Sequence, residues 1–451
     1  MTRLARDAPR CAVLVACLAG GAAGCASAPA PAAEGPPTPA GDLHGYVAAR
    51  YRGRATDDDQ DHELRTVLAL DYVPTAGRGL EAHLLARADA DLDGHDDGIF
   101  SGLDDTYDGS VVTKLYTAFL DLPLGDPARP LGTLRLGRQT DVELPEVVRL
   151  DGLAFRSRPR GERALAFGLY GGIPVHLYES SSSGDLGYGS YVEGLPWAGG
   201  RARLDWLHLE DEQRFGEQRD DLLGLTLWQR LARAGWMEGR FTVLEGEERD
   251  LDLRAQLQEP RSGTIAGLRY HELLETQFVN ALELDPFSEQ LLEYHPYREL
   301  GADVSRPFGR YLDLELGLGL RRVSDDDDVG DFNRDWQRLY ATGTLADWLA
   351  EGLALGLTAE RWDDEAENDT SAFGADLTLD RGRGWRASLG SYYALYKYRL
   401  LELEEKEDVR TYYLRTSRDV GTRLTLELLY ELEDDDLETY HLLTFGGTWR
   451  F

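Results

Sequence analysis

The chain has 451 residues, with 81 Asp plus Glu against 48 Lys plus Arg and a formal net charge of −33. So large an acid excess excludes a general nucleic-acid binder, because a phosphate backbone would be repelled. Apolar residues make up 42% of the chain and charged residues 29%, which excludes wholesale disorder.

The first segment reads as a targeting signal. Arg3, Arg6 and Arg10 form a positive region ahead of the apolar run Cys11 to Gly24. That run is too short to span a bilayer as a helix and has the pattern of a secretory signal, over residues 1–24. Ala22-Ala23-Gly24-Cys25 resembles a bacterial lipobox, which makes Cys25 the expected lipidation site. Cleavage near Ala26-Ser27-Ala28 is the alternative, and Pro29 disfavours it. Cys11, Cys17 and Cys25 are the only cysteines, so the mature chain is expected to hold no disulfide and no cysteine-based metal site. Residues 25–41, rich in Ala and Pro, read as an extended tether. About 17 residues separate Cys25 from the first strand, too few for a folded plug.

From residue 42 to 451 the period is two. Leu64, Leu68, Leu70 and Tyr72 alternate with Glu63, Arg65 and Asp71. Leu251, Leu253, Ala255 and Leu257 alternate with Asp252, Arg254, Gln256 and Gln258. The same dyad runs through Leu312 to Arg321 and through Leu424 to Leu432. Such segments are strands with one apolar and one polar face. The charges on the polar face need water, which either a soluble sandwich or the lumen of a membrane barrel supplies.

The connections separate those two folds. About 22 strand-like segments follow Leu43, and every second connection is short and often basic, as at Arg158-Pro159-Arg160-Gly161 and Arg306 to Arg310. The others are acidic and often longer: Asp91 to Gly109, Glu210 to Asp221, Glu272 to Glu299, Asp325 to Asp335 and Glu433 to Glu438. In an up-and-down meander, alternate connections lie at opposite ends. Short turns at one end and long loops at the other is the pattern of an outer-membrane barrel. A Greek-key sandwich has no reason to segregate them. Leu443, Phe445, Gly447, Trp449 and Phe451 share one face of the last segment. Trp197, Trp236, Trp348, Trp385 and Trp449 fall close to short turns, as an interfacial aromatic girdle requires.

The terminal aromatic of Trp449-Arg450-Phe451 resembles the C-terminal recognition signal of bacterial outer-membrane barrels. Leu134-Arg135-Leu136-Gly137-Arg138-Gln139, followed by Arg149-Leu150-Asp151-Gly152, resembles the Gly-Arg-Gln … Asp-Gly stretch of porin-type and alginate-export-type barrels. The resemblance implies an outer-membrane channel, inserted by the barrel-assembly machinery through its last strand and contacting outer-membrane lipid and lipopolysaccharide.

Candidate sites are sparse. Asp89, Asp91, Asp93 and Asp97, with Gly94 among them, fit the spacing of a calcium loop, although Phe100 stands where the closing Glu would be. A solvated acidic loop fits as well, and Ca2+ is the only cofactor the sequence suggests. His62-Glu63 and His271-Glu272 lack the second His of a zinc-protease helix, and no nucleophile elbow or phosphate loop is present. A hydrolase built on the loop rim would draw on His271 or His295. Arg135, Gln139, Arg254, Arg321 and Arg423 sit on polar faces and are the candidates for lining the lumen.

The expectation is therefore an all-β fold: a transmembrane antiparallel up-and-down β-barrel of about 18–22 strands, with both termini periplasmic. The expected function is a non-enzymatic channel of the bacterial outer membrane for hydrophilic solutes or a polysaccharide. The alternative is a non-conducting surface barrel acting as adhesin, scaffold or loop-rim hydrolase.

Overall fold

The protein was analysed as a computed structural model. It describes residues 43–451 apart from 58, 75–78, 94–110, 127–128, 142–147, 176–184, 214–215, 232–233, 276, 279–292, 295, 325–334, 365–369, 383, 400–403 and 435–438. Cys25 and the segments 1–24 and 25–41 lie outside the described residues.

The alternating segments all form strands. In chain order these are β1 Leu43–Ala55, β2 Gln60–Tyr72, β3 Glu81–Asp91, β4 Val111–Asp126, β5 Arg129–Asp141, β6 Val148–Ser157, β7 Ala166–Pro174 and β8 Leu186–Gly194. Next come β9 Gly200–Gln213, β10 Gly216–Leu231, β11 Gly235–Leu244, β12 Glu247–Glu259, β13 Thr264–Leu273, and the two-residue β14 Gln277–Phe278 and β15 Glu293–Tyr294. The series ends with β16 Tyr297–Phe308, β17 Leu312–Val323, β18 Trp336–Ala346, β19 Leu353–Asp364, β20 Thr370–Asp380, β21 Trp385–Arg399, β22 Glu404–Val420, β23 Leu424–Asp434 and β24 Thr439–Arg450. β14 and β15 pair only with each other; the other 22 form one antiparallel sheet in which chain neighbours pair. Among the described residues there is no helix.

The sheet closes on itself. β1 pairs with β24 from Tyr46↔Arg450 to Ala55↔His441, and Gly45 exchanges both backbone hydrogen bonds with Phe451 at 3.0 and 3.1 Å. Closure leaves no edge strand with unsatisfied N–H and C=O groups. The fold is a closed 22-stranded up-and-down barrel, at the upper limit of the expected strand count.

Exposure distinguishes the two faces of the wall. Leu64, Leu204, Leu225, Leu316, Leu339, Phe373, Leu389 and Phe445 all stand on the apolar face and are exposed. The buried groups lie almost entirely on the other face: Asp61, Glu63, Asp89, Lys114, Gln139, Arg203, Asp205, Glu315 and Thr411. Side chains converge on the concave side of a curved sheet and splay on the convex side. The polar face is therefore the inner one, and a band of leucine and aromatic side chains clothes the outside.

The ends differ as the loop lengths require. At one end every connection is eight residues or fewer, the longest being 73–80 and 158–165. At the other lie 92–110, 274–296 and 324–335, beside tight turns such as 245–246. Glu210 to Asp221 is not a loop: β9 and β10 pair up to Gln213↔Gly216, so the acidic stretch extends the wall. Two long complementary dyads satisfy more backbone groups as a ladder than as an open loop. Trp197, Trp348, Trp385 and Trp449 are exposed at the short-turn end, together with Phe308 and Leu349. Trp236 departs from the expected girdle. It falls on the polar face of β11, where its Nε1–H donates to Gln256 at 3.1 Å. Proximity to a turn does not reveal which face a residue occupies.

In the β6–β7 pair, Gly152 stands opposite Gly172. A Cβ on Gly152 would lie 2.6 Å from the Gly172 Cα and would collide with the Gly171 carbonyl oxygen. Overpacking of this kind costs about 1–3 kcal/mol. Gly152→Val is expected to lower the temperature at which the barrel loses its compact mobility on an unheated gel. A control Gly301→Val, on a strand where the nearest atom to an added Cβ is the Arg269 Cβ at 3.9 Å, is expected to shift it less.

Candidate functional site

The inner wall carries the charge expected of the polar dyad positions, and much of that charge is paired. On β1 to β3, Arg52 pairs with Glu63, and Arg54 lies 2.6 Å from Asp61 and 3.2 Å from Glu63. Arg65 and Arg87 approach the two oxygens of Asp89 at 2.8 and 2.5 Å. Cross-strand register sets these contacts, since Arg52↔Glu63, Arg54↔Asp61 and Arg65↔Asp89 are direct partners. Opposite charges on facing positions stabilise the sheet. On β9, Arg203 bonds Asp205 at 2.8 Å and lies 3.9 Å over the Tyr191 ring, with both charged groups buried.

Each lumen candidate has a definite place. Arg135, on β5, grips Asp121 with two bonds of 2.8 Å and stacks 3.8 Å over Phe119. Gln139, two inward positions further on, is buried and faces Leu150 across the strand pair. Arg254, on β12, pairs with Asp252 at 2.8 Å. Arg321, on β17, stacks 3.7 Å over Tyr297 and lies 4.0 Å from Glu299. Arg423 differs: it is an exposed residue of the turn between β22 and β23, its carbonyl accepting from the Arg450 N–H. It lies just outside the dyad that begins at Leu424.

The calcium spacing falls partly on a strand. Asp89 and Asp91 belong to β3, and the Asp89 carboxylate is engaged by two arginines. Asp93 accepts from the His62 N–H at 3.2 Å, while Asp97 is outside the described residues. Among the described residues, the one trio of ligand-type side chains with atoms within 4.8 Å is Glu81, His83 and Asp121. Of these, Asp121 is held by Arg135, and His83 Nδ1 lies 2.6 Å from Asp71. Of the two histidines considered for a loop-rim hydrolase, His271 is 3.8 Å from Asp252 and rests against Tyr297, while His295 is outside the described residues.

The Gly137-Arg138 and Asp151-Gly152 motif resolves into a wall contact. Gly137↔Gly152 and Arg138↔Asp151 are cross-strand partners. Arg138 grips Asp151 at 2.8 and 2.7 Å on the outer face, and its third bond, 3.0 Å, reaches the Leu115 carbonyl of β4. The motif ties three strands together.

Two features of the inner wall were not read from the sequence. One is an apolar patch: Val148, Leu150, Leu207, Leu209 and Leu222 form a buried cluster with Tyr170 and Leu244 packed on it. These residues occupy inward positions of β6, β9 and β10, where the dyad rule expects polar groups. In sequence they are indistinguishable from outward leucines. The other is a band of inward aromatics on β16 to β19: Tyr297, Trp336, Tyr340 and Trp362. Face parity relative to the outward leucines could have assigned them.

No protein-family model matches the chain, and no curated protein matches it. Solved structures do. The chain is similar to the P pilus usher (PapC) translocation pore, at 10% identity over 90% of this chain and 99% of that one, with a TM-score of 0.51. It is also similar to Pseudomonas aeruginosa OccK3 (OpdO), at 12% identity over 91% and 96% with a TM-score of 0.42. Acinetobacter baumannii OccAB3 matches at 9% identity over 91% and 100%, with a TM-score of 0.43. At these identities the likeness is one of fold: a large closed antiparallel barrel.

The buried Arg203–Asp205 pair gives a stability test. Removing one partner of a buried pair leaves an uncompensated charge, at a cost of about 3–5 kcal/mol. Asp205→Ala is expected to lower the unfolding free energy toward the low end of that range, since Glu193 stays 4.0 Å from Arg203, and the loss is read from the fall in denaturant midpoint. The double change Arg203→Met with Asp205→Leu is expected to recover much of the loss, because no buried charge then stands alone.

Proposed function

We propose that this chain is a water-filled channel of the bacterial outer membrane, passing hydrophilic solutes passively, with a polysaccharide among the candidate cargoes. The carrying observation is the closed 22-stranded wall, apolar outside and charged inside. A barrel of that strand number encloses more space than its side chains can fill. Its barrel strands run from nine residues in β7 to seventeen in β22, against the roughly 9–11 needed to cross a bilayer. The exposed tryptophans at the short-turn end suit a membrane interface. On this reading the short turns and both termini are periplasmic and the long acidic loops face outward, against lipopolysaccharide. The terminal Phe451 serves recognition by the assembly machinery, and Cys25 anchors the tether by lipid. One barrel of this fold is described as a translocation pore, which supports a conducting role.

The paired inner charges bear on how such a channel works. An arginine held by a carboxylate keeps its place in the wall and still orders water and ions along it. With a net charge of −33 and acidic long connections, the mouth favours cations at low salt. Screening shortens that influence to about 8–10 Å near physiological ionic strength.

Purified protein in planar bilayers is expected to give stepwise conductance, with a reversal potential showing weak cation preference that fades as salt rises. Changing Asp57, Asp58, Asp59 and Asp325 to Asp328 to Asn is expected to reduce the preference and leave conductance at high salt nearly unchanged. Electrically silent insertion would instead favour a non-conducting surface barrel.

A further inference from the structure

The inward aromatics of β16 to β19 lie among charges in a way that points to a ligand class. Trp336 and Trp362 face each other across β18 and β19 with ring centroids 5.3 Å apart at 52°. Tyr340 is four residues along β18 from Trp336, about 13 Å deeper along the strand at roughly 3.3 Å per residue. Arg338, between them on the same face, lies 5.1 Å from the Trp362 ring and 4.9 Å from the Tyr340 ring. It holds Glu360 at 2.5 Å, and the Tyr340 hydroxyl donates to Glu315 at 2.9 Å.

Glycines set how these rings lie. A Cβ on Gly319 would stand 2.7 and 3.0 Å from Trp336 ring carbons, and one on Gly317 would stand 2.5 Å from the Tyr340 hydroxyl and would collide with its ring. Gly319 and Gly317 are inward positions of the neighbouring strand β17, and they leave a shallow bed in the wall. Trp336, Tyr340 and Trp362 occupy inward positions and are each only partly buried, so part of every ring is open to the lumen.

We propose that Trp336, Trp362 and Tyr340, with Arg338 and Glu360, form a binding track for a neutral saccharide chain moving along the lumen. Flat aromatic faces stack on the C–H faces of sugar rings. Arginine and carboxylate side chains beside them donate to and accept from hydroxyl pairs. Acids outnumber arginines here: Arg254, Arg269, Arg321 and Arg338 stand against Asp250, Asp252, Glu299, Asp303, Asp313, Glu315 and Glu360 on the same inner face. A polyanion is repelled by that excess as it is by the acidic mouth. A small cation needs no row of rings. The proposal rests on the channel reading, since a track requires a lumen open to solute.

Calorimetric titration of the full-length, detergent-solubilised barrel tests the binding without relying on conduction. The probes are maltohexaose, cellohexaose, laminarihexaose and, as the acidic comparison, hexagalacturonate. At least one neutral hexasaccharide is expected to bind more tightly than the acidic one. Trp336→Leu and Trp362→Leu are each expected to weaken it by about tenfold, or about 1.4 kcal/mol. Trp336→Phe is expected to retain most of the affinity, and Gly319→Ala to lose affinity by lifting the indole from its bed. Compact mobility on an unheated gel confirms that each variant is folded. Binding of none of the neutral probes, tighter binding of the acidic one, or unchanged affinity in the folded Trp336→Leu/Trp362→Leu double variant overturns the proposal. Bilayer recordings on the same preparation separate the two readings. A barrel that conducts but binds no neutral saccharide keeps the channel and loses the track. One that binds but stays silent keeps the site and loses the channel.

Discussion

Everything in this structure depends on the closing seam between β1 and β24. An open 22-stranded sheet would present two rows of unpaired N–H and C=O groups, and inside a hydrocarbon layer each costs several kcal/mol. Pairing Tyr46 to Ala55 against His441 to Arg450 removes both edges at once. The final aromatic residue is part of that seam, through the reciprocal bonds of Gly45 and Phe451. Closure also gives the sheet a concave side. The alternation of apolar and polar residues thereby becomes an alternation between outside and inside.

The inner wall shows how a charged surface is kept ordered. Its arginines are held by carboxylates across a strand pair, as with Arg65 and Asp89 or Arg135 and Asp121, or two residues along the same strand, as with Arg87 and Asp89. Pairs of this kind cost little where water reaches them and become expensive to break where neighbours bury them, as at Arg203 and Asp205. Several arginines also stack on inward aromatic rings, so the long guanidinium side chains lie along the wall instead of reaching across it. The wall is not uniformly polar. Its apolar patch on β6, β9 and β10 and its aromatic band on β16 to β19 lie on different sectors, giving the interior unlike sides.

The Gly137-Arg138 … Asp151-Gly152 stretch shows how a motif can carry fold and not chemistry. Its charged residues meet on the outer face as a clamp across β4, β5 and β6. Its glycines face each other in the ladder. Their spacing in the chain follows from hairpin geometry, which any barrel with a strand pair of this register would share.

By itself the sequence determined the strand content, the near-complete strand count, the two-ended segregation of connections and the polarity of each dyad. Those are local properties: a period of two and a short turn need only neighbours in the chain. It could not assign leucines such as Leu207 and Leu222 to the inside, because a leucine reads the same on either face and only the register with β6 and β10 decides. It read Glu210 to Asp221 as a loop, since acidic residues look solvated whether they sit in a turn or on a long hairpin. It placed Trp236 by its distance from a turn, whereas parity along β11 decides its face. The partners of Arg65 and Arg135 come from other strands, and the aromatic band is assembled from three. Such convergence exists only once closure has fixed which strand lies beside which and how far each is shifted.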